Sequence, residues 1–125
     1  MSFEVSSLCD AIDKMMQKHL PREEVRRRDA AGEPPEHLLK IFADLGLLNL
    51  ILPEKEGGLG GNWEQLSIIQ ERLGYHATMA ALLFNRVTCF GIMTLITSGS
   101  PAQKQAWMPK LLAGEGAFAL ALSEA

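Results

Sequence analysis

Residues 79–97 are apolar on nearly every face, and this run constrains the fold more than any other part of the chain. Its length is close to what crosses a bilayer as a helix. Asn85 and Arg86 fall inside it, however, and a charge at that depth costs about 2.5 to 3.5 kcal/mol on insertion scales. No basic cluster flanks the run. It therefore reads as the central helix of a soluble bundle, wrapped by other helices and not by lipid.

The rest of the sequence supplies helices to wrap it. Ser7 with Asp10 has capping-box spacing, and Leu8, Ile12, Met15, Met16 and Leu20 recur at helical intervals up to Pro21. Between residues 21 and 31, Glu23 with Arg27 and Glu24 with Arg28 are spaced as i,i+4 pairs, so the arginines read as a solvated face balanced by acids. After Pro34 and Pro35, Leu38, Ile41, Phe42 and Leu45 make an apolar stripe that stops at Gly46. Asn62 caps a helix with Gln65 three positions on, and Trp63, Leu66, Ile69 and Leu73 read as its buried stripe before Gly74. Ser100-Pro101-Ala102-Gln103 combines an N-cap, a first-position proline and a capping glutamine, opening a last helix that reaches about Ala113, before Gly114. Beyond Gly116 the short apolar run "AFALALSEA" has no polar helical face and reads as extended. Strand alternation is nearly absent elsewhere. The expected architecture is an all-α antiparallel helical bundle with a terminal extended segment.

The stretch "ILPEKEGGLGG" at residues 51–61 could cradle phosphate, hinge two domains or punctuate two helices. No Gly-Lys-Ser/Thr follows it, and no strand with G-x-G-x-x-G opens a helix anywhere. Gly57, Gly58, Gly60 and Gly61 are better read as letting the backbone turn sharply before the helix capped by Asn62.

Composition narrows the function classes. With 12 basic and 15 acidic residues and a net charge of −3, the chain offers no broad positive field for nucleic acid. Cys9 and Cys89 lie far apart without metal-ligand spacing, which points to reduced thiols and a cytoplasmic setting. The first residues carry Glu4, Asp10 and Asp13 and lack a basic start, so they read as mature sequence. His19, His37 and His76 fall on different elements, each a surface or cap histidine, with no zinc spacing among them. No G-x-S-x-G nucleophile elbow is present. From residues alone, the chain is a helical domain without an active site of its own.

Two spaced landmarks go further. Gly46, Leu47, Pro53, Glu54, Gly57, Gly58 and Gly60 form one pattern; Gly99, Ser100, Gln103, Lys104, Met108, Pro109, Leu111, Gly114 and Glu115 form a second, with Met108-Pro109 as a turn. In register, they resemble the amino-terminal helical domain of flavin-dependent acyl-CoA dehydrogenases over essentially the whole chain. A third landmark of that family, an apolar strand ending in Thr-Glu-Pro, is met here by Leu122-Ser123-Glu124-Ala125. The following Gly-Ser-Asp is absent, so flavin binding by this segment alone is not expected.

The resemblance implies a helical domain at residues 1–116 and, at 117–125, the start of a link into a β-domain. It implies FAD as cofactor, an acyl-CoA as substrate, electron-transfer flavoprotein as electron acceptor and a homo-oligomer, while Asn85 and Arg86 within the apolar run argue against a membrane span. A full-length member desaturates its acyl-CoA at the α,β carbons, with a carboxylate base that lies outside this segment, so no catalytic residue is assigned here. By the same resemblance, Leu82, Leu83, Arg86 and Phe90 line the far end of the acyl pocket, while Leu120, Leu122 and Ser123 meet the flavin. Two residues keep alternatives open. Arg86 either sends its head to solvent over a packed stem or meets a polar acyl tail, and Ser123 either bonds the flavin edge or only turns the chain. A non-catalytic helical interaction module is the competing reading, and an acyl-CoA oxidase or flavin monooxygenase would share this end of the chain.

Overall fold

The computed structural model describes residues 4–123. The last two positions of the Ser-Glu-x motif, Glu124 and Ala125, lie outside the described residues. Within them the chain is all helix and loop, with α1 (Val5–His19), α2 (Arg22–Ala31), α3 (Leu38–Asp44), α4 (Trp63–His76), α5 (Thr78–Val87), α6 (Thr94–Ser98) and α7 (Pro101–Leu112). The all-α bundle is as expected from the sequence.

The apolar run becomes a continuous helical stretch, Thr78–Ser98, long and apolar enough to cross a membrane by length and composition; half of it is buried inside the protein. It is not uniform. A π turn over Thr88–Met93 separates α5 from α6, and such turns slip the helical hydrogen-bond ladder by one residue. Thr88, the buried polar residue of the core, donates its hydroxyl to the Phe84 carbonyl at 2.9 Å. Gly91 belongs to the π turn, and a Cβ there would stand 2.8 Å from Leu111 Cδ1. The turn therefore brings α7 close to the central stretch.

α4 packs against α1 on one side and α5 on the other. Ile12 and Met16 of α1, Ile69 and Leu73 of α4, Phe84 and Val87 of α5 and Phe42 of α3 are completely buried. The Phe42 and Phe84 rings meet edge to face with centroids 5.9 Å apart, a geometry worth about 0.5 to 1.5 kcal/mol beyond area burial. One polar cluster pins α1 to α4. Arg72 Nε donates to Asp13 Oδ1 at 2.7 Å, Arg72 Nη2 bonds Asp13 Oδ2, and His76 Nε2 lies 2.7 Å from Asp13 Oδ1. These bonds, from Arg72 first and His76 second, hold the Asp13 carboxyl at about 2, well below its ordinary value.

Several local expectations are corrected. Ser7 lies inside α1, whose N-cap is Glu4 with no side-chain capping bond, so the Ser7–Asp10 box does not form. Arg28 pairs with Glu24 as expected, but Arg27 reaches Glu24 and Glu33 instead of Glu23. Glu24 accepts from both arginines and is held at about 2. Trp63 opens α4 60% exposed, and the buried stripe of that helix starts one turn on at Leu66. His76 ends α4 and is part-buried with Nε2 against the Asp13 carboxylate, so it closes the helix at the α1–α4 contact and does not stand free on the surface. Pro109 sits inside α7, not in a turn. The capping boxes of Asn62 with Gln65 and of Ser100 with Gln103 both form.

The glycine loop closes on itself. The N–H groups of Leu59, Gly60 and Gly61 donate to the carbonyls of Asn49, Leu52 and Leu50 at 2.9, 2.9 and 2.7 Å. Gly57 and Gly60 take the left-handed conformation at φ 87° and 63°. Gly58 meets a different demand, since a Cβ there would stand 1.9 Å from the Leu52 carbonyl oxygen. With those donors already satisfied, the loop has no cradle to offer a phosphate.

Candidate acyl and flavin edge

α5 positions the residues assigned to the acyl pocket. Leu82, Leu83 and Arg86 occupy successive places on one face of this helix, and they line a cleft of about 90 Å³ together with Met79, Pro34 and Pro35. Leu83 is buried, Leu82 is more than half exposed and Arg86 lies between. Phe90 does not line this cleft. It falls in the π turn, one helical turn further on, and is partly buried.

The two prolines and Met79 were not identified as site residues from the sequence. The buried state of Pro35 is the physical clue to them, because the α2–α3 connection packs across the start of α5. The lining is apolar apart from Arg86, and no carboxylate belongs to it. Arg86 Nε donates to the Phe118 carbonyl at 3.1 Å. Among the described residues, its terminal nitrogens have no acidic partner.

The residues assigned to the flavin are placed differently. Leu120 is 48% exposed and Leu122 is 83% exposed, and Ser123 is open as well. The backbone of residues 119–123 makes no hydrogen bond to another described residue. The segment thus presents two uncovered leucines beside free backbone donors and acceptors. That combination fits one edge of a planar cofactor with an apolar ring and a polar rim, which is what FAD offers. It is one edge, and the glycine loop cannot add a phosphate site to it.

Larger clefts lie elsewhere. One of about 420 Å³, between α4 and the end of α5, is lined by Trp63, Leu66, Ser67, Gln70, Glu71, Asn85 and Cys89. Another of about 310 Å³ is lined by Thr94, Leu95, Ser98, Gly99, Gln103, Trp107 and Phe118. Neither contains a convergent set of catalytic groups.

The family model for the acyl-CoA dehydrogenase N-terminal domain matches residues 3–115. The chain belongs to the acyl-CoA dehydrogenase family. Among curated relatives, the mitochondrial isovaleryl-CoA dehydrogenase of Oryza sativa subsp. japonica is 35% identical over 98 residues, covering 77% of this chain and 24% of the relative. That of Pongo abelii is 28% identical over 125 residues, covering 99% of this chain and 30% of the relative. The cyclohex-1-ene-1-carbonyl-CoA dehydrogenase of Syntrophus aciditrophicus (strain SB) is 33% identical over 76 residues, covering 61% of this chain and 18% of the relative. The chain thus spans between 18% and 30% of the length of these relatives. No solved structure gives a significant match.

Proposed function

We infer that this chain is the amino-terminal helical part of an FAD-dependent acyl-CoA dehydrogenase, contributing one wall of the acyl pocket and one edge of the flavin site. The carrying observation is the match to the acyl-CoA dehydrogenase N-terminal family over residues 3–115. Beside it, Arg86 of the α5 cleft bonds Phe118, two residues before Leu120.

When bound, FAD supplies the hydride acceptor for the β-hydrogen of the acyl group. The residues of this chain bind and orient. Leu82 and Leu83 give the acyl tail an apolar wall that excludes water. Ser123 offers a hydroxyl to the flavin edge, and Leu120 and Leu122 cover the ring. Removal of the α-proton falls to a base outside residues 4–123. The full protein on this reading is a homo-oligomer that hands its electrons to electron-transfer flavoprotein.

Arg86 suggests the substrate class. A guanidinium in an apolar cleft, with its outer nitrogens unpaired by any described acid, favours an acyl tail that ends in a carboxylate or another acceptor. The intact protein, mixed anaerobically with a panel of branched, straight and carboxylated acyl-CoAs, should lose its flavin absorbance with at least one. Full retention of colour across the panel would sink the dehydrogenase reading. In the same assay Arg86→Leu should move preference toward plain acyl tails, and unchanged selectivity would remove the carboxylate assignment.

A further inference from the structure

Phe118 is fastened to the helices at three points. Its N–H donates to the Arg86 carbonyl at 3.3 Å. Its own carbonyl accepts from Arg86 Nε at 3.1 Å. Its ring meets Trp107 edge to face with centroids 6.0 Å apart, and Lys110 Nζ stands 5.0 Å from the Trp107 centroid. The two bonds between residues 86 and 118 are reciprocal, like those of a hydrogen-bonded pair in an antiparallel sheet, with a guanidinium N–H replacing one backbone donor.

Arg86 lies two residues before the π turn of Thr88–Met93. A helical carbonyl keeps a second lone pair beyond the one its ladder bond uses. The Arg86 carbonyl uses it on Phe118. Beyond Phe118, residues 119–123 bond no other described residue, so the tie is the last fixed point before Leu120, Leu122 and Ser123. The same arginine also lines the cleft with Leu82 and Leu83.

We propose that Arg86 is a positioning residue that holds the flavin-edge segment in register with the acyl cleft. One end of its side chain faces the acyl tail, while its Nε sets the backbone from which Ser123 projects. This rests on the functional reading above. A tail that draws the guanidinium into the cleft weakens the bond to Phe118, so the chemistry of the tail is felt at the flavin edge. The selectivity of the site and the placement of its cofactor then share one residue.

The test is hydrogen exchange and FAD titration on the intact protein in three forms: parent, Arg86→Met and Phe118→Pro. Arg86→Met keeps an apolar stem and removes the side-chain donor; Phe118→Pro removes the opposite donor together with the Trp107 ring contact, from a residue outside every helix. Residues 119–123 bond no other described residue, so the exchange readout is the Phe118 amide, which donates to the Arg86 carbonyl: in Arg86→Met it should exchange roughly tenfold faster, with α1 and α4 at parental rates. The FAD dissociation constant should rise by a similar factor. A Phe118 amide that exchanges at the parental rate in Arg86→Met overturns the proposal, and so does faster exchange with unchanged FAD affinity. If Arg86→Met speeds exchange throughout the helices, Phe118→Pro decides alone: weaker FAD binding with parental α1 and α4 supports the tie, and parental FAD binding overturns it. A parent protein that binds no FAD overturns the functional reading and the flavin half of this proposal together, while exchange of the Phe118 amide still decides whether Arg86 holds the segment.

Discussion

Two irregular stretches of this domain make opposite use of their backbone. The loop at residues 47–61 turns its N–H groups inward, and Leu59, Gly60 and Gly61 all donate to carbonyls within the loop. The segment at 117–123 does so only at Phe118, after which two leucines and a serine stand open. Backbone polar groups need partners wherever water is excluded. A loop that satisfies its own is finished and carries shape; the described part of the terminal segment beyond Phe118 leaves its polar groups to solvent. The glycine-rich stretch, the more eye-catching of the two in sequence, is the structural one.

The largest expected effect lies in the closed loop. Gly58→Ala places a methyl group 1.9 Å from the Leu52 carbonyl oxygen, a backbone atom that cannot swing aside. The loop must open or Leu50 and Leu52, both buried, must move. A loss of about 3 kcal/mol or more is expected, from the mechanisms that give the largest single-site effects. Urea unfolding reads it directly. A Gly58→Ala midpoint at the parental value would mean that the loop is as loosely held as the terminal segment, and the contrast between them would disappear.

The sequence makes most of the closed parts readable. The capping boxes at Asn62 and Ser100 are local chemistry, fixed by residues three positions apart, and both form. The glycine loop is readable as a turn for the same reason. Contacts between distant positions are harder. Nothing near Asp13 announces Arg72 and His76, which lie one helical turn apart on α4 and meet it only when α1 packs there. The π turn is hidden because Thr88–Met93 keeps the apolar pattern of an ordinary helix. Leu82, Leu83 and Arg86 share a face by helical spacing, but the prolines opposite them depend on how the α2–α3 connection crosses α5. The Arg86–Phe118 tie spans 32 positions and has no local signal at all.

The Asp13 cluster is a second closed site, and its effect should be intermediate. Asp13→Asn removes the charge that Arg72 and His76 share, so a loss of about 1 to 3 kcal/mol is expected at neutral pH. The pH dependence has a definite sign. The folded carboxyl is lowered to about 2 from an ordinary value of 3.8. Its contribution is therefore complete above the unfolded value and is lost as pH falls from about 4 through about 2. Stability measured across that window should fall less steeply in Asp13→Asn than in the parent. Identical slopes would assign the acid sensitivity to other carboxylates, Glu24 being the next held at about 2.

The smallest effect on stability should come from the open segment, and there it is the difference between two readouts that matters. Ser123 is exposed and bonds no described residue, so Ser123→Ala should change unfolding free energy by no more than about 0.5 kcal/mol. If its hydroxyl completes the flavin edge, the same change in the intact protein should cost about 1 kcal/mol in FAD affinity or in the ease of flavin reduction, because a bond that stabilises charge on the reduced ring is lost. A turn residue behaves the other way, since its hydroxyl would serve the chain and not the cofactor. Lower thermal stability with parental midpoint potential and FAD affinity would therefore make Ser123 part of the closed architecture, and the division between the finished loop and the waiting segment would have to be drawn beyond it.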